Sequence, residues 1–493
     1  MTAWFPRISR PVWLLIALLI TASLVPGTAQ TADLTDLFSQ DGVLTATLVA
    51  AEARLRIGDL YLDGAAYNGL YAGPVLHVHP GDLMRIRLVN HLSQPTNLHF
   101  HGSRGSPLGN GDNAHLAIQP GGSFLYEVRI PPTQPVGLLW YHPHIHTIAE
   151  HQVMSGLSGT IIVEPTAAAP LAERLFVLKD MVFDDDTSIP EIDDTLHGIV
   201  QSVNGELLTR QAMRPNETQL WRFTNQSANR AVHIALDSHR LRIVAVDGEP
   251  TVAGRFVDVL DIPPASRLDA LVEAGPPGQY ALRARGIMTG TGAARTQDRI
   301  IGSLDVAGGP VTAVPPPPQP ALPPHLRPVV PDATRTFVFT QTTPVHDEEQ
   351  QFFINRQLFQ ADRIDVRVPL GNVEEWIIRN DSDDMHVFHI HQISFQVVAV
   401  NGTPAPFTGY VDNVLVPERG SLTLRLPFTD RLIVGRFMFH CHVLRHEDKG
   451  MMANIEIYDP TPPTLFARLN RLYLHVVWWW HGVPWSLCGL ADA

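Results

Sequence analysis

One stretch of this chain concentrates metal chemistry. Phe439-His440-Cys441-His442-Val443-Leu444-Arg445-His446 is followed closely by Gly450-Met451. Cysteine, histidine and a distant methionine form the donor set of a blue copper site. In an extended strand, successive side chains point to opposite faces. Cys441 then faces one side, and His440 and His442 face the other. A single strand can hold one metal behind it and present two imidazoles to a second site in front.

The second site needs further donors, and the chain supplies them in pairs. They are His99-Phe100-His101, His142-Pro143-His144 and His389-Ile390-His391. With His440 and His442 they make eight imidazoles, enough for three ions holding two, three and three. His386, three residues before His389, offers a second imidazole to the Cys441 site. Imidazole suits copper, and neutral histidine is the commonest metal ligand. A lone His-x-His is usually a strand with two surface histidines. Four motifs with a complementary donor count are not expected from that cause. The chain has 23 histidines, so most lie outside the set. His77, His79, His233 and His239 read as ordinary strand histidines. His146 and His151 lie near a motif but exceed the count the site needs.

In these motifs and their flanks, Thr96-Asn97-Leu98-His99 and Trp140-Tyr141-His142-Pro143-His144, the chain resembles the bacterial multicopper oxidases. The resemblance runs from about Leu34 to Asp459. It implies four coppers per chain. His386, Cys441, His446 and Met451 would hold the type 1 copper, and His99 and His389 the type 2 copper. His101, His142 and His442 would hold one type 3 copper, and His144, His391 and His440 the other. It also implies one-electron oxidation of a reducing substrate, with an electron entering by His386 or His446 and passing from Cys441 through His440 or His442. Four electrons reduce dioxygen to two waters. Methionine as the axial residue goes, within the family, with lower potentials than a non-coordinating residue. Acidic residues placed like Glu447 and Asp112 serve as proton relays in the family. The plainer reading makes both loop carboxylates or hydrogen-bond partners of ligand imidazoles.

The elements that position these donors show as an internal repeat. Pro80-Gly81-Asp82 opens an alternating strand, Leu83 to Asn90, that leads to His99. Leu370-Gly371-Asn372 opens another, Val373 to Asn380, that leads to His389. Eighteen residues separate glycine from histidine in both. A middle copy begins at Pro215-Asn216-Glu217 and runs to Asn225, with Ile234 and Leu236 where the others carry histidines. The middle unit is therefore expected to be structural. His386 corresponds to Thr96 and Ala231, and Cys441 to Pro143, so only the last repeat can hold the Cys441 site. The cluster takes four histidines from each outer unit and belongs at their interface.

Short alternating strands with Gly and Pro turns indicate an all-β chain of antiparallel sandwiches. Three such repeats resemble three cupredoxin-like Greek-key β-sandwich domains, placed at 34–165, 166–308 and 334–460. Pro315-Pro316-Pro317-Pro318, within 309–333, reads as a stiff extended linker. The length of 493 residues suits about three domains. Charged residues are only 17% and apolar residues 45%, so each unit can bury a sizeable core.

Residues 1–29 read as a secretory signal. Arg7 and Arg10 precede the apolar run Pro11 to Val25, and Gly27-Thr28-Ala29 offers small residues for cleavage. The expected location is periplasmic or secreted. Of the two cysteines, Cys441 is reserved for metal and Cys488 reads as a free thiol in the tail. The 461–493 tail is apolar and carries Trp478-Trp479-Trp480. Interfacial anchoring at a membrane is the lesser reading of it, and packing across a domain interface the alternative.

A net charge of −13 suits cations and carries no nucleic-acid footprint. The expected partners are dioxygen and a small reducing substrate or metal ion. Ten methionines without a methionine-rich run favour a laccase-like oxidase of phenols and aromatic amines over an oxidase of Cu(I), Fe(II) or Mn(II). The rivals are a non-catalytic cupredoxin-like protein, a copper-sequestering protein and a copper nitrite reductase. The full donor set speaks against the first and the last.

Overall fold

The computed structural model describes residues 34–166, 171–182, 199–286, 298–314, 320–342 and 350–461. The expected signal, the four consecutive prolines, Cys488 and the tail beyond Thr461 lie outside them. Among the described residues, no helix is long and apolar enough to cross a membrane.

Six sheets pack in pairs around three apolar cores. Each core draws on both sheets of its pair. In the last unit, Trp376 and Leu424 of one sheet meet Phe388, Phe439 and Ile455 of the other. The strands Leu83–Asn90, Thr218–Asn225 and Val373–Asn380 occupy equivalent central places. All three begin after a left-handed residue, with φ of +98° at Gly81, +65° at Asn216 and +104° at Gly371. Glycine or asparagine tolerates that conformation best.

All three strands also end on a buried asparagine that ties the following loop. Asn90 donates to the Gln94 and Ile118 carbonyls, and Asn225 to those of Arg230 and Ile262. Asn380 donates to those of Asp384 and Pro417. Its own side-chain oxygen accepts from Ser382 N at 2.9 Å. These bonds set the start of each ligand-bearing strand and explain the constant spacing from turn to histidine. In the middle unit the same register places Ile234 and Leu236 in the apolar core.

The sheets are mixed rather than purely antiparallel. Val43–Ile57 runs parallel to Leu83–Asn90, Ala172–Val182 to Thr218–Asn225, and Ala333–Gln341 to Val373–Asn380. Between the members of each pair the chain crosses to the opposite sheet and back, through Val75–Val78, Thr209–Met213 and Val366–Pro369. That excursion supplies the crossover a parallel pairing requires. Alternation marks a strand but not the direction of its neighbour.

The units touch through small apolar contacts. Leu55, Ile57 and Tyr71 pack on Met181 and Val200. Val153, Ala228 and Leu444 bring all three units together.

Candidate metal centre

The strand Gly435–Cys441 pairs with His386–Ile390, setting His440 opposite His389 and Cys441 opposite Phe388. Alternation then sorts the side chains as expected. Cys441 turns into the apolar core of the last sandwich with Met451, both fully buried. Its Sγ lies 3.6 Å from His386 Nδ1 and 3.6 Å from His446 Nδ1, and those two nitrogens are 3.0 Å apart. The Val387 amide donates to Sγ at 3.4 Å. Ser382 Oγ, 2.8 Å away, accepts the Nε2 proton of His386 and leaves Nδ1 free for a metal. His446 stacks on Phe352 with centroids 4.0 Å apart.

Burial pushes the Cys441 thiol up to about 12 and lowers His386 to about 3. In this apolar site a thiolate needs a cation beside it, and a bound metal deprotonates its thiol outright.

On the other face of the strand, eight imidazoles converge. His99–His101 pairs with Gly137–His142, so His99 stands opposite His142. His99 of the first unit stacks on His391 of the last at 3.7 Å, and His101 on His389 at 3.8 Å. His440 Nε2 lies 3.2 Å from Nε2 of both His144 and His391. His442 lies 4.9 Å from His101 and 5.4 Å from His142, ring to ring. His144, His391 and His440 form one compact donor group, and His99 and His389 share another with His391. The third compact group joins His99, His101 and His142.

Seven of these eight rings keep a buried nitrogen with no hydrogen-bond partner among the described residues, His440 being the exception. Their opposite nitrogens are tied in several cases. His142 Nδ1–H donates to the Pro143 carbonyl at 2.8 Å, and His389 Nδ1–H to that of Asp412 at 2.7 Å. Burial lowers His101, His142, His144, His389, His391 and His442, so these rings are neutral. Lone pairs facing one another in a dry interior are costly unless a cation joins them. The donors therefore fit metal. Imidazole with thiolate and thioether fits copper.

The two acidic candidates differ. Asp112 is fully engaged: Oδ1 accepts from His99 Nδ1 and from the Phe100 amide, each at 3.0 Å, and Oδ2 accepts from Gln392 at 2.7 Å. Its geometry is that of a residue orienting His99. Glu447 is completely buried and faces the imidazole cluster. Oε2 lies 2.9 Å from His440 Nδ1, and Oε1 lies 3.6 Å from His144 Nε2.

Several neighbours escaped sequence reasoning. Asp412, Arg267 and Gln392 have no motif or spacing that marks them. The left-handed φ of +60° at Gln392 is visible only in the fold. Of the histidines set aside, His77 and His233 lie on strands. His79 follows a strand, and His239 lies in a turn, where its Nδ1–H donates to the Asp237 carbonyl. His146 packs edge-on against Phe359 at 4.8 Å and joins no donor group.

Comparison with known proteins agrees with this geometry. Three models described as multicopper oxidase match residues 55–168, 140–306 and 329–460. A multicopper oxidase of Staphylococcus haemolyticus is 24% identical over 411 residues, covering 79% of this chain and 83% of that protein. The solved Campylobacter jejuni multicopper oxidase, described as a metallo-oxidase, superposes with a TM-score of 0.75. It is 25% identical, over 86% of this chain and 94% of that one. A laccase-like multicopper oxidase of Ochrobactrum sp., with oxidase activity towards lignin model compounds, gives a TM-score of 0.71. It is 26% identical, over 86% of this chain and 99% of that one.

Proposed function

As a member of the multicopper oxidase family, this chain is a copper oxidoreductase with oxygen as acceptor, and we propose that it oxidises phenols or aromatic amines like a laccase. The proposed complement is four coppers, one held by His386, Cys441, His446 and Met451 and three by the eight imidazoles. The type 2 and type 3 assignments follow the family order of the motifs. Copper in these places would accept single electrons from the substrate and deliver four of them to dioxygen, giving two waters.

The chain's own residues divide the remaining work. His446 is partly exposed while His386 and Cys441 are buried, so the edge of His446 is the proposed point where a substrate gives its electron. His440 and His442 adjoin Cys441 in sequence and link the two sites through a short covalent path. Glu447 is the proposed proton relay, because its buried carboxylate reaches both His440 and His144 of the cluster. Asp112 holds the Nδ1 proton of His99, which leaves Nε2 for metal.

The substrate reading rests on one observation. Met451 and Met452 are buried, and Met452 packs with Ala114, Phe359 and Met438. Neither thioether is placed to receive a soft metal ion from solvent. One feature favours the second reading, oxidation of Cu(I), Fe(II) or Mn(II). Asp448, on the same short helix as His446, accepts from the Glu150 amide at 2.7 Å, and the Glu150 carboxylate accepts from Asn229 at 2.6 Å. Two carboxylates beside the electron entry would suit a cation. Oxygen uptake with a phenol, compared with uptake driven by Fe(II) and by Cu(I), separates the two. Faster turnover of either metal ion would overturn the laccase reading. Export to the periplasm or outside the cell remains a proposal from residues 1–29.

A further inference from the structure

The middle sandwich carries none of the twelve donors, yet one of its side chains reaches the cluster. Arg267 begins the strand Arg267–Glu273 and is completely buried. Its guanidinium makes a bidentate pair with Asp412 of the last sandwich, Nη1 to Oδ1 at 2.9 Å and Nη2 to Oδ2 at 2.6 Å. Its remaining protons go to carbonyls. Nε donates to Leu138 at 3.2 Å, Nη1 to Ala265 at 3.1 Å and Nη2 to Asp247 at 2.9 Å. The group is thus held by all three units.

Asp412 in turn touches two imidazoles from different units. Its Oδ1 accepts the Nε2 proton of His101 at 3.2 Å. Its backbone carbonyl accepts the Nδ1 proton of His389 at 2.7 Å. One residue therefore sets opposite tautomers on two stacked rings, and each ring's other nitrogen is buried and unbonded. The backbone is fitted to this pair. Gly102, next to His101, has φ +86°, and a Cβ there would stand 2.6 Å from Arg267 Nη2 and 3.1 Å from Asp412 Oδ2.

We propose that Arg267 is a positioning residue of the imidazole cluster: it fixes Asp412, and through Asp412 the orientation of His101 and His389. A planar bidentate donor suits this task, whereas a lysine is a point charge. The middle unit then contributes to the copper site without ligating copper. A buried ion pair alone is weak evidence of function, since apolar replacements can be as stable. The tie to two donors from two units separates this pair from a packing device. The inference rests on reading the eight imidazoles as a copper cluster.

The test compares the holoprotein with Arg267→Gln, Arg267→Lys and Asp412→Asn. Copper per chain, blue absorption from the Cys441 site and the electron paramagnetic signal of the non-blue copper are recorded. Wild type lacking copper beyond the Cys441 site would refute the cluster reading itself. With wild type fully loaded, Arg267→Gln and Asp412→Asn should keep the blue absorption and bind cluster copper about 10- to 100-fold more weakly, with a changed non-blue signal. Arg267→Lys should recover only part of the affinity. Wild-type affinity and signal in both Arg267→Gln and Asp412→Asn would overturn the inference. Should Arg267→Gln fail to fold, Asp412→Asn decides, and an unchanged cluster there would overturn it.

Discussion

The imidazoles of His99 and His391 stack 3.7 Å apart at an interplanar angle of 14°, although they come from the first and last sandwiches. Nothing local brings them together. His99 lies on the strand His99–His101 and His391 directly follows the strand His386–Ile390, and the two rings meet only because the outer units close on one another.

Copper should therefore act as a clamp. A ligand that binds only the folded assembly raises its stability by mass action. Calorimetry of copper-loaded and chelated protein should give a higher transition temperature for the loaded form. Equal temperatures would mean that the interface does not depend on the metal.

Cys441→Ser removes the only thiolate donor of its site and leaves the eight imidazoles in place. The variant should lose its blue absorption and its oxygen uptake while keeping most of the cluster copper. Visible spectra and metal analysis report this directly. Persisting blue colour would place the chromophore elsewhere.

Glu447→Gln preserves shape and removes the carboxylate that would pass protons to the cluster. Loss of a positioned acid typically slows turnover by about 10²- to 10⁴-fold. The expected result is slow oxygen uptake at full copper content and unchanged blue absorption. A variant as fast as wild type would return Glu447 to a packing role.

Asp112→Ala should act on binding more than on colour. Without its carboxylate, His99 loses the acceptor that fixes its tautomer. Copper affinity of the cluster should fall about 10- to 100-fold. A chelator competition measures it, and unchanged retention would show that His99 keeps its orientation without the Asp112 carboxylate.

These acidic groups show where sequence reasoning succeeds and where it stops. The histidine pairs and Cys441 were legible because strand alternation is local: adjacent residues face opposite sides whatever the rest of the chain does. The repeat was legible because Gly81, Asn216 and Gly371 mark the same left-handed turn. Asp412 was not, since its meaning depends on His101, which is 311 residues away. Arg267 escaped for the same reason, lying in the unit that lacks donors. Strand direction escaped because alternation looks alike in parallel and antiparallel neighbours. The choice between His386 and His446 as electron entry needed burial, which only the packed helix Leu444–Asp448 supplies.

Away from the metal, Lys179 offers a stability test. It is fully buried, its Nζ donating to the Tyr71 and Gly156 carbonyls at 2.7 and 2.6 Å, and burial lowers it to about 7. The unfolded chain binds that proton up to about pH 10.4. Between about pH 7 and 10 the unfolded state holds more protons, so this residue's contribution to stability rises with pH. Lys179→Met should flatten that part of the stability profile. Identical pH slopes for the two proteins would contradict the assignment.

The most direct test of the central claim is copper content together with oxygen uptake. The protein is loaded with copper and supplied with a phenol, beside Cys441→Ser under the same conditions. The account expects four coppers per chain, intense blue absorption, and oxygen consumption that the variant lacks. A folded, copper-supplied protein that stays colourless, binds fewer ions and consumes no oxygen with phenol, Fe(II) or Cu(I) would contradict it.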